Sequence, residues 1–323
     1  MAETVIVNDV GPRDGLQNQS RILAPEQRLQ LIGAIRAAGL DHIEVGSFVS
    51  PKAVPAMAGA DSVVAGLQHL AGGHYSALIP NLRGYELARD SGVKAVVMVL
   101  YGSQGMARRN VNMSREEADT VAGTIIERAR EEGLEVIITM AVAFECPFDG
   151  PVDSGLVADV AGRFLALGAE RFVLADTIGA ANPQQVRDLT RTLVDRHGSD
   201  RLGCHFHDTR ALGLANVYAA VESGIRYLDA SIASLGGCPF APGASGNVAT
   251  EDVVMLMEQL GFATGVDLEQ LLVASDLAET LTGTAPGGRA KAWLRPWLAG
   301  QEAVDDTRQH LVATDAYIQR FPA

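Results

Sequence analysis

His205 and His207 stand two apart in the run Leu202-Gly-Cys-His-Phe-His-Asp208. In an extended strand, residues two apart share a face, so both imidazoles enter the same space. Two neutral imidazoles beside an acidic group suit a divalent cation. A lone histidine is more often a hydrogen-bonded core residue, but a pair at this spacing, at a strand end, reverses that preference. Asp14, in Val10-Gly-Pro-Arg-Asp-Gly15, and the amide oxygen of Asn247 complete an N,N,O,O set. Such a set leaves positions for water or substrate and suits Mg²⁺ or Mn²⁺ better than a closed, thiolate-rich zinc site. Arg13, next to Asp14, is placed to meet negative charge that develops on an oxygen.

Cys238 lies in the loop Leu235-Gly-Gly-Cys-Pro-Phe-Ala-Pro-Gly-Ala-Ser-Gly-Asn247, whose glycines give the backbone freedom to bring a thiol over a site. A thiol there is a candidate nucleophile or proton donor, and spacing alone leaves both open. Cys204 precedes the histidine pair and faces away from it, as a core residue would. Glu44, Asp176, Asp208 and Glu251 are carboxylates that would orient ligands from behind, although Glu251 at a helix start is equally an ordinary cap.

These residues need a scaffold that delivers them to one end. Short runs rich in Val, Ile and Leu fall at about 4–9, 42–47, 75–80, 95–100, 135–143, 171–176, 202–207 and 227–232. Amphipathic helical patterns lie between them, near 25–38, 59–70, 83–91, 114–132, 153–167, 182–196, 211–223 and 249–260. Strands this apolar are buried on both faces, as in a parallel sheet. Eight strand–helix units predict an α/β fold of the (β/α)₈ TIM-barrel class, in which strand carboxyl ends carry the chemistry. A doubly wound sheet would call for a Gly-rich fingerprint after the first strand, and Val10-Gly-Pro-Arg-Asp-Gly15 does not match it. The reading divides the chain into a barrel over 1–262 and a C-terminal helical extension over 263–323, with helical patterns near 266–282 and 301–320.

The chain has 323 residues and a formal net charge of −13. That balance argues against a nucleic-acid partner, which would need a basic stripe. No apolar run approaches the ~20 residues of a membrane span. Three cysteines make no disulfide framework, so a reducing cytoplasm is the expected setting.

Val10–Asn18, Ser47-Phe-Val-Ser-Pro-Lys52, Asp176-Thr-Ile-Gly179, His205-x-His-Asp208 and Gly236–Asn247 together resemble the 3-hydroxy-3-methylglutaryl-CoA lyase family. They occur in its order, over roughly residues 5–262, and the cysteine loop is the most specific element. The resemblance implies a divalent-metal lyase that cleaves 3-hydroxy-3-methylglutaryl-CoA to acetyl-CoA and acetoacetate. Asp14, His205, His207 and Asn247 would hold Mg²⁺ or Mn²⁺. Arg13 would neutralise the enolate oxygen, and Cys238 would protonate its carbon. Asp14 would serve as base with Glu44 and Asp176 in support, and Gln17 and Ser47 are candidate substrate contacts. An acyl-CoA partner and a homodimer follow from the same resemblance. The chain departs from the pattern at Gln19-Ser20-Arg21, at Ala53, where the family often carries a bulky aromatic, and over Thr284–Ala292. These departures leave open a lyase for a related 3-alkylglutaryl or other β-hydroxyacyl thioester. A condensing synthase fits less well, because those chains usually carry a long extra C-terminal domain. A non-catalytic barrel fits poorly with so complete a set of polar residues.

Overall fold

The computed structural model of the chain describes residues 2–70, 72–237, 246–284 and 287–302, with the backbone alone at 301 and 302. Eight parallel strands, β1 (Ile6–Asp9), β2 (His42–Ser47), β3 (His74–Ile79), β4 (Ala95–Tyr101), β5 (Glu135–Ala141), β6 (Arg171–Asp176), β7 (Leu202–Phe206) and β8 (Tyr227–Ala230), close into a barrel. Each pairs with its neighbours in sequence, and β1 pairs with β8 to complete the ring. The expected barrel is therefore present, with every expected strand in it.

The outer ring includes α1 (Pro25–Ala37), α2 (Ala60–Gly66), α3 (Leu82–Ser91), α4 (Gln104–Val111), α5 (Arg115–Glu132), α6 (Ser154–Leu167), α7 (Pro183–His197), α8 (Gly213–Glu222) and α9 (Thr250–Gln259). Their starts follow local chemistry. Asn182 accepts from the backbone N–H of Gln184 and Gln185, with Pro183 in the first turn, and Ser114 forms a capping box with Glu117. Helix α4 is absent from the sequence-based expectation, because Gln104–Val111 is short and rich in Arg and Asn. Its start is fixed by Ser103 Oγ, which accepts from Met106 N at 3.2 Å. Strand β5 ends before the expected 143, since Val142 turns to a φ of 50° and donates its N–H to Thr177 Oγ1.

Beyond the barrel, α10 (Leu268–Thr282) buries Leu268, Leu271, Leu272, Ala274 and Ala278 in the same apolar core as Leu31, Ile32 and Ile35 of α1. Helix α11 (Lys291–Glu302) follows. Most of the helix expected at 301–320 lies outside the described residues.

Two apolar zones differ in place. Val96, Ile138, Phe172 and Leu228 point outward into the core under the helices. Val97, Ile137, Val173 and Tyr227, one step away on the same strands, form a separate cluster inside the ring. Beneath it, at the amino ends of the strands, the His42 and His74 rings meet at a 31° tilt with centroids 4.7 Å apart. His74 Nε2 meets Glu135 Oε2 at 2.6 Å, and the Arg171 guanidinium lies 4.1 Å from the Tyr227 ring centre.

Burial first, then His74 and the Arg171 charge, push the His42 imidazole down to about 4, against the pull of Asp41 and Glu135. The native chain thus keeps His42 neutral where the unfolded chain, with an ordinary value of 6.5, already takes up a proton. Stability from this group is whole above pH 6.5 and declines as pH falls toward 4, by on the order of 2 kcal/mol for a partly solvated ring. Urea midpoints measured across that window should fall less steeply in His42→Asn than in the parent. Equal slopes would remove His42 from the acid response.

Candidate metal centre and active site

Asp9 organises the first turn of the site. Its buried carboxylate accepts from Gly11 N at 2.8 Å and from Thr250 Oγ1 at 2.6 Å, tying the end of β1 to the start of α9. Burial pushes this carboxyl up to about 7. The chain then makes one wide π-helical turn over Gly11–Gly15, closed by Gly15 N donating to Val10 O, which carries Arg13 and Asp14. Gly15 is required there, since a Cβ would lie 2.8 Å from both Leu235 Cβ and Ser231 Oγ.

Arg13 is gripped by two carboxylates. Nη1 donates to Asp14 Oδ1 at 2.8 Å and Nη2 to Glu44 Oε2 at 2.7 Å. Glu44 sits where the β2–β3 register shifts, between Glu44 and Gly46. Irregularities of this kind re-aim side chains near active sites. A Cβ at Gly46 would lie 2.6 Å from Nη2 of the buried Arg28 and would displace it from its bond to Val45 O. Burial pushes Glu44 up to about 7, opposed by Arg13, and its Oε1 is buried without a partner.

The histidine pair ends β7 as expected. Ring centroids of His205 and His207 are 5.3 Å apart, and ligand atoms of Asp14, His205 and His207 all lie within 4.8 Å of one another. Asn247 joins them: its backbone bridges His207, and its Nδ2 donates to Asp14 Oδ2 at 2.8 Å and to Leu235 O at 3.1 Å. Its buried Oδ1 has no partner, and neither does His207 Nδ1. A buried acceptor left alone is costly, and a cation at this point would satisfy it. The orphaned oxygen and the oxygen–nitrogen donor set therefore fit a divalent ion held by Asp14, His205, His207 and Asn247. Burial alone would raise Asp14, but Arg13, the two histidines and Asn247 together hold it down at about 2. Burial, with His205 nearby, pushes His207 down to about 4. His205 shifts the other way: burial opposes protonation, yet Asp229 and Asp14 outweigh it and raise the ring.

Asp229 is the residue that sequence reasoning missed. It stands opposite His205 in the β8–β7 pairing. Its Oδ2 lies 3.2 Å from His205 Nδ1, while its Oδ1 accepts from Asn8 Nδ2 at 2.8 Å. This relay leaves Nε2 of His205 to face the cluster. An acidic residue in the eighth apolar run, beside the seventh in any closed barrel, was the available signal.

The other expected site residues divide. Gln17 lines the chamber described below, together with Arg13, Asp14 and Glu44. Ser47 is buried with an unpartnered hydroxyl but does not line it. Asp176 accepts from Ala180 N and Ala181 N, shaping the loop after β6, and burial pushes it up to about 6. Asp208 accepts from Gly213 N and pairs with Arg289 at 2.9 Å. Glu251 is fully buried and accepts from Ala233 N, Ser275 Oγ and Gly288 N. The side chains of Asp208 and Glu251 thus fasten the C-terminal segment to the barrel mouth instead of backing the ligands. Cys204 faces the outer core, and burial pushes its thiol up. Cys238 lies outside the described residues.

Above and beside the cluster opens a chamber of about 500 Å³. Val49, Ala53, Val54, Val111 and Met113 line it together with the polar group, and Ala53 is exposed there.

A family model described as HMGL-like matches residues 4–278. The chain belongs to the HMGL-like family. It is 42% identical over 282 residues to the 3-hydroxy-3-isohexenylglutaryl-CoA/hydroxy-methylglutaryl-CoA lyase of Pseudomonas aeruginosa, covering 87% of this chain and 94% of that one. It is also 42% identical over 303 residues to the (R)-citramalyl-CoA lyase of Chloroflexus aurantiacus, covering 90% and 95%. A crystal structure of hydroxymethylglutaryl-CoA lyase from Pseudomonas aeruginosa superposes with a TM-score of 0.88 at 41% identity, covering 92% of this chain and 99% of that one. As an HMGL-like enzyme the chain is a carbon–carbon lyase. Among the described residues of this HMGL-like chain, no helix is long and apolar enough to cross a membrane.

The relay from Asp229 yields a direct expectation. Asp229→Asn should weaken Mn²⁺ binding by about 10- to 100-fold, read from the free-ion signal in electron paramagnetic resonance. An unchanged affinity would show that Asp229 does not prepare His205 for a metal.

Proposed function

We propose that this enzyme cleaves 3-hydroxy-3-methylglutaryl-CoA to acetyl-CoA and acetoacetate, with Mg²⁺ or Mn²⁺ held by Asp14, His205, His207 and Asn247. The observation that carries the reading is the meeting of Asp14, His205 and His207 with Arg13 and Glu44 at the wall of one chamber, with Asn247 bonded to Asp14 behind them. A bound divalent ion supplies Lewis acidity that lowers the pKa of an alcohol.

The substrate's hydroxyl must lose a proton, its carbon–carbon bond must break, and the electron pair must rest on a thioester enolate. Glu44 suits the first role better than Asp14. Its carboxyl is poised at about 7 with one oxygen free, whereas Asp14 is held at about 2. Arg13, fixed by two carboxylates, offers positive charge to the enolate oxygen as that charge appears. Cys238 is assigned the proton that the enolate carbon takes up. The expected homodimer and cytoplasmic setting remain part of this proposal, resting on the resemblance and on the sparse cysteines.

A second reading, a lyase for another β-hydroxyacyl thioester such as citramalyl-CoA, is favoured by the Chloroflexus relative. Purified enzyme with added Mg²⁺ or Mn²⁺ should release acetyl-CoA from 3-hydroxy-3-methylglutaryl-CoA. A citramalyl thioester cleaved in its place would establish the second reading, and no release from either would overturn both. Arg13→Met should lower kcat by about 10²- to 10³-fold with a much smaller change in KM. A loss confined to KM would make Arg13 a binding residue only. Cys238→Ala should lower kcat by about 10²- to 10⁴-fold while keeping Mn²⁺ affinity, and full turnover would exclude the thiol as proton donor.

A further inference from the structure

Arg28, in the first turn of α1, is fully buried, and among the described residues no carboxylate pairs with it. A buried cation without a counter-charge is costly. Its two terminal nitrogens donate to backbone carbonyls: Nη2 to Val45 O and Nη1 to Ala58 O, both at 3.1 Å.

Both carbonyls bear on the site. Val45 directly follows Glu44, and it is the residue skipped where the β2–β3 register shifts. A residue skipped in this way leaves the ladder locally unpaired, and Arg28 supplies the missing donor. Ala58 lies just before α2, at the end of the connection in which Ser50, Ala53 and Val54 line the chamber. The guanidinium therefore joins the irregularity behind Glu44 to the loop that forms the chamber wall. It reaches β2 from the helix side, while Glu44 projects inward and lines the chamber. A one-residue change of register exchanges the two faces of a strand. The inward aim of Glu44 and the course of the loop beyond it are compatible only while the irregularity is kept.

We infer that Arg28 is a positioning residue for the reaction: by holding the skipped Val45 carbonyl it fixes the backbone that aims Glu44 at Arg13, whose Nη2 donates to Glu44 Oε2 at 2.7 Å. The inference rests on the proposed role of Glu44 as acceptor of the substrate's hydroxyl proton. Arg13 and Asp14 face Glu44 from the turn after β1, and Asp229 faces it from β8. Of these only Arg13 favours its charge. A Glu44 turned away from Arg13 keeps its proton to higher pH, and the base is then both misplaced and less often ionised.

The test uses the full chain with Mg²⁺ and 3-hydroxy-3-methylglutaryl-CoA, and reads kcat, KM and the acid limb of kcat/KM, which should lie near pH 7 in the parent. Arg28→Met should lower kcat by about 10- to 100-fold with little change in KM. It should also move the acid limb up by about one pH unit, as loss of a charge-assisted hydrogen bond does. Gly46→Ala should reproduce both effects, because its Cβ displaces the guanidinium from Val45 O while Arg28 itself remains. This second variant decides the question where Arg28→Met does not fold. A folded variant of either kind with the parent's kcat and acid limb, whatever its melting temperature, makes Arg28 purely structural and overturns the inference with the proposed function left standing. Full turnover in Glu44→Gln overturns the role of Glu44, and the inference falls with it. No cleavage by the parent overturns the proposed function itself.

Discussion

The hydrogen bond between Asn247 Nδ2 and Asp14 Oδ2 joins residues 233 apart in the chain. It exists only because β1 pairs with β8 and closes the ring. Everything that defines the site depends on that closure. Asp14 arrives from the end of the first strand, His205 and His207 from the seventh, and Asn247 from beyond the eighth. Asp9 secures the same seam through Thr250. In an open sheet these groups would line opposite edges, and no cation seat would form.

Around that seam the site is an exercise in unequal burial. Arg13 lies between two carboxylates, yet the two behave oppositely: Asp14 stays strongly acidic because four polar neighbours favour its charge, whereas Glu44 is raised because burial prevails over Arg13. One guanidinium thereby serves two partners of different character, one carboxyl held strongly acidic and one raised. The C-terminal segment contributes from outside. Glu251, Asp252 and Asp208 accept its backbone and side-chain donors at residues 288–290, so the described part of the segment clasps the same mouth without offering the cluster a ligand.

The barrel was legible because its signals are local. Buried parallel strands read as apolar runs, and caps such as Asn182 and Ser114 mark helix starts in the residues themselves. The side-by-side placement of His205 and His207 was legible for the same reason, since a two-residue spacing fixes a face. What escaped depends on contacts distant in sequence. Asp229 looks like any acidic residue in a strand until β8 is set beside β7. Glu251 reads as a helix-start carboxylate, and only its contacts with Ser275 and Gly288 explain why it is fully buried. Helix α4 was invisible because its apolar face is only Met106, Ala107 and Val111 among polar neighbours, and its start depends on Ser103.

A cation seat assembled from both ends of a chain has a bearing on folding itself. Contacts between residues so remote are slow to form, because the intervening loop must first be ordered. The seat is complete only once β1 pairs with β8, and a chain with an open ring lacks it. An ion that binds only the closed ring shifts the equilibrium toward it by mass action. The same four side chains would then act as a late latch, and metal supply would help set the fraction of chains that remain closed.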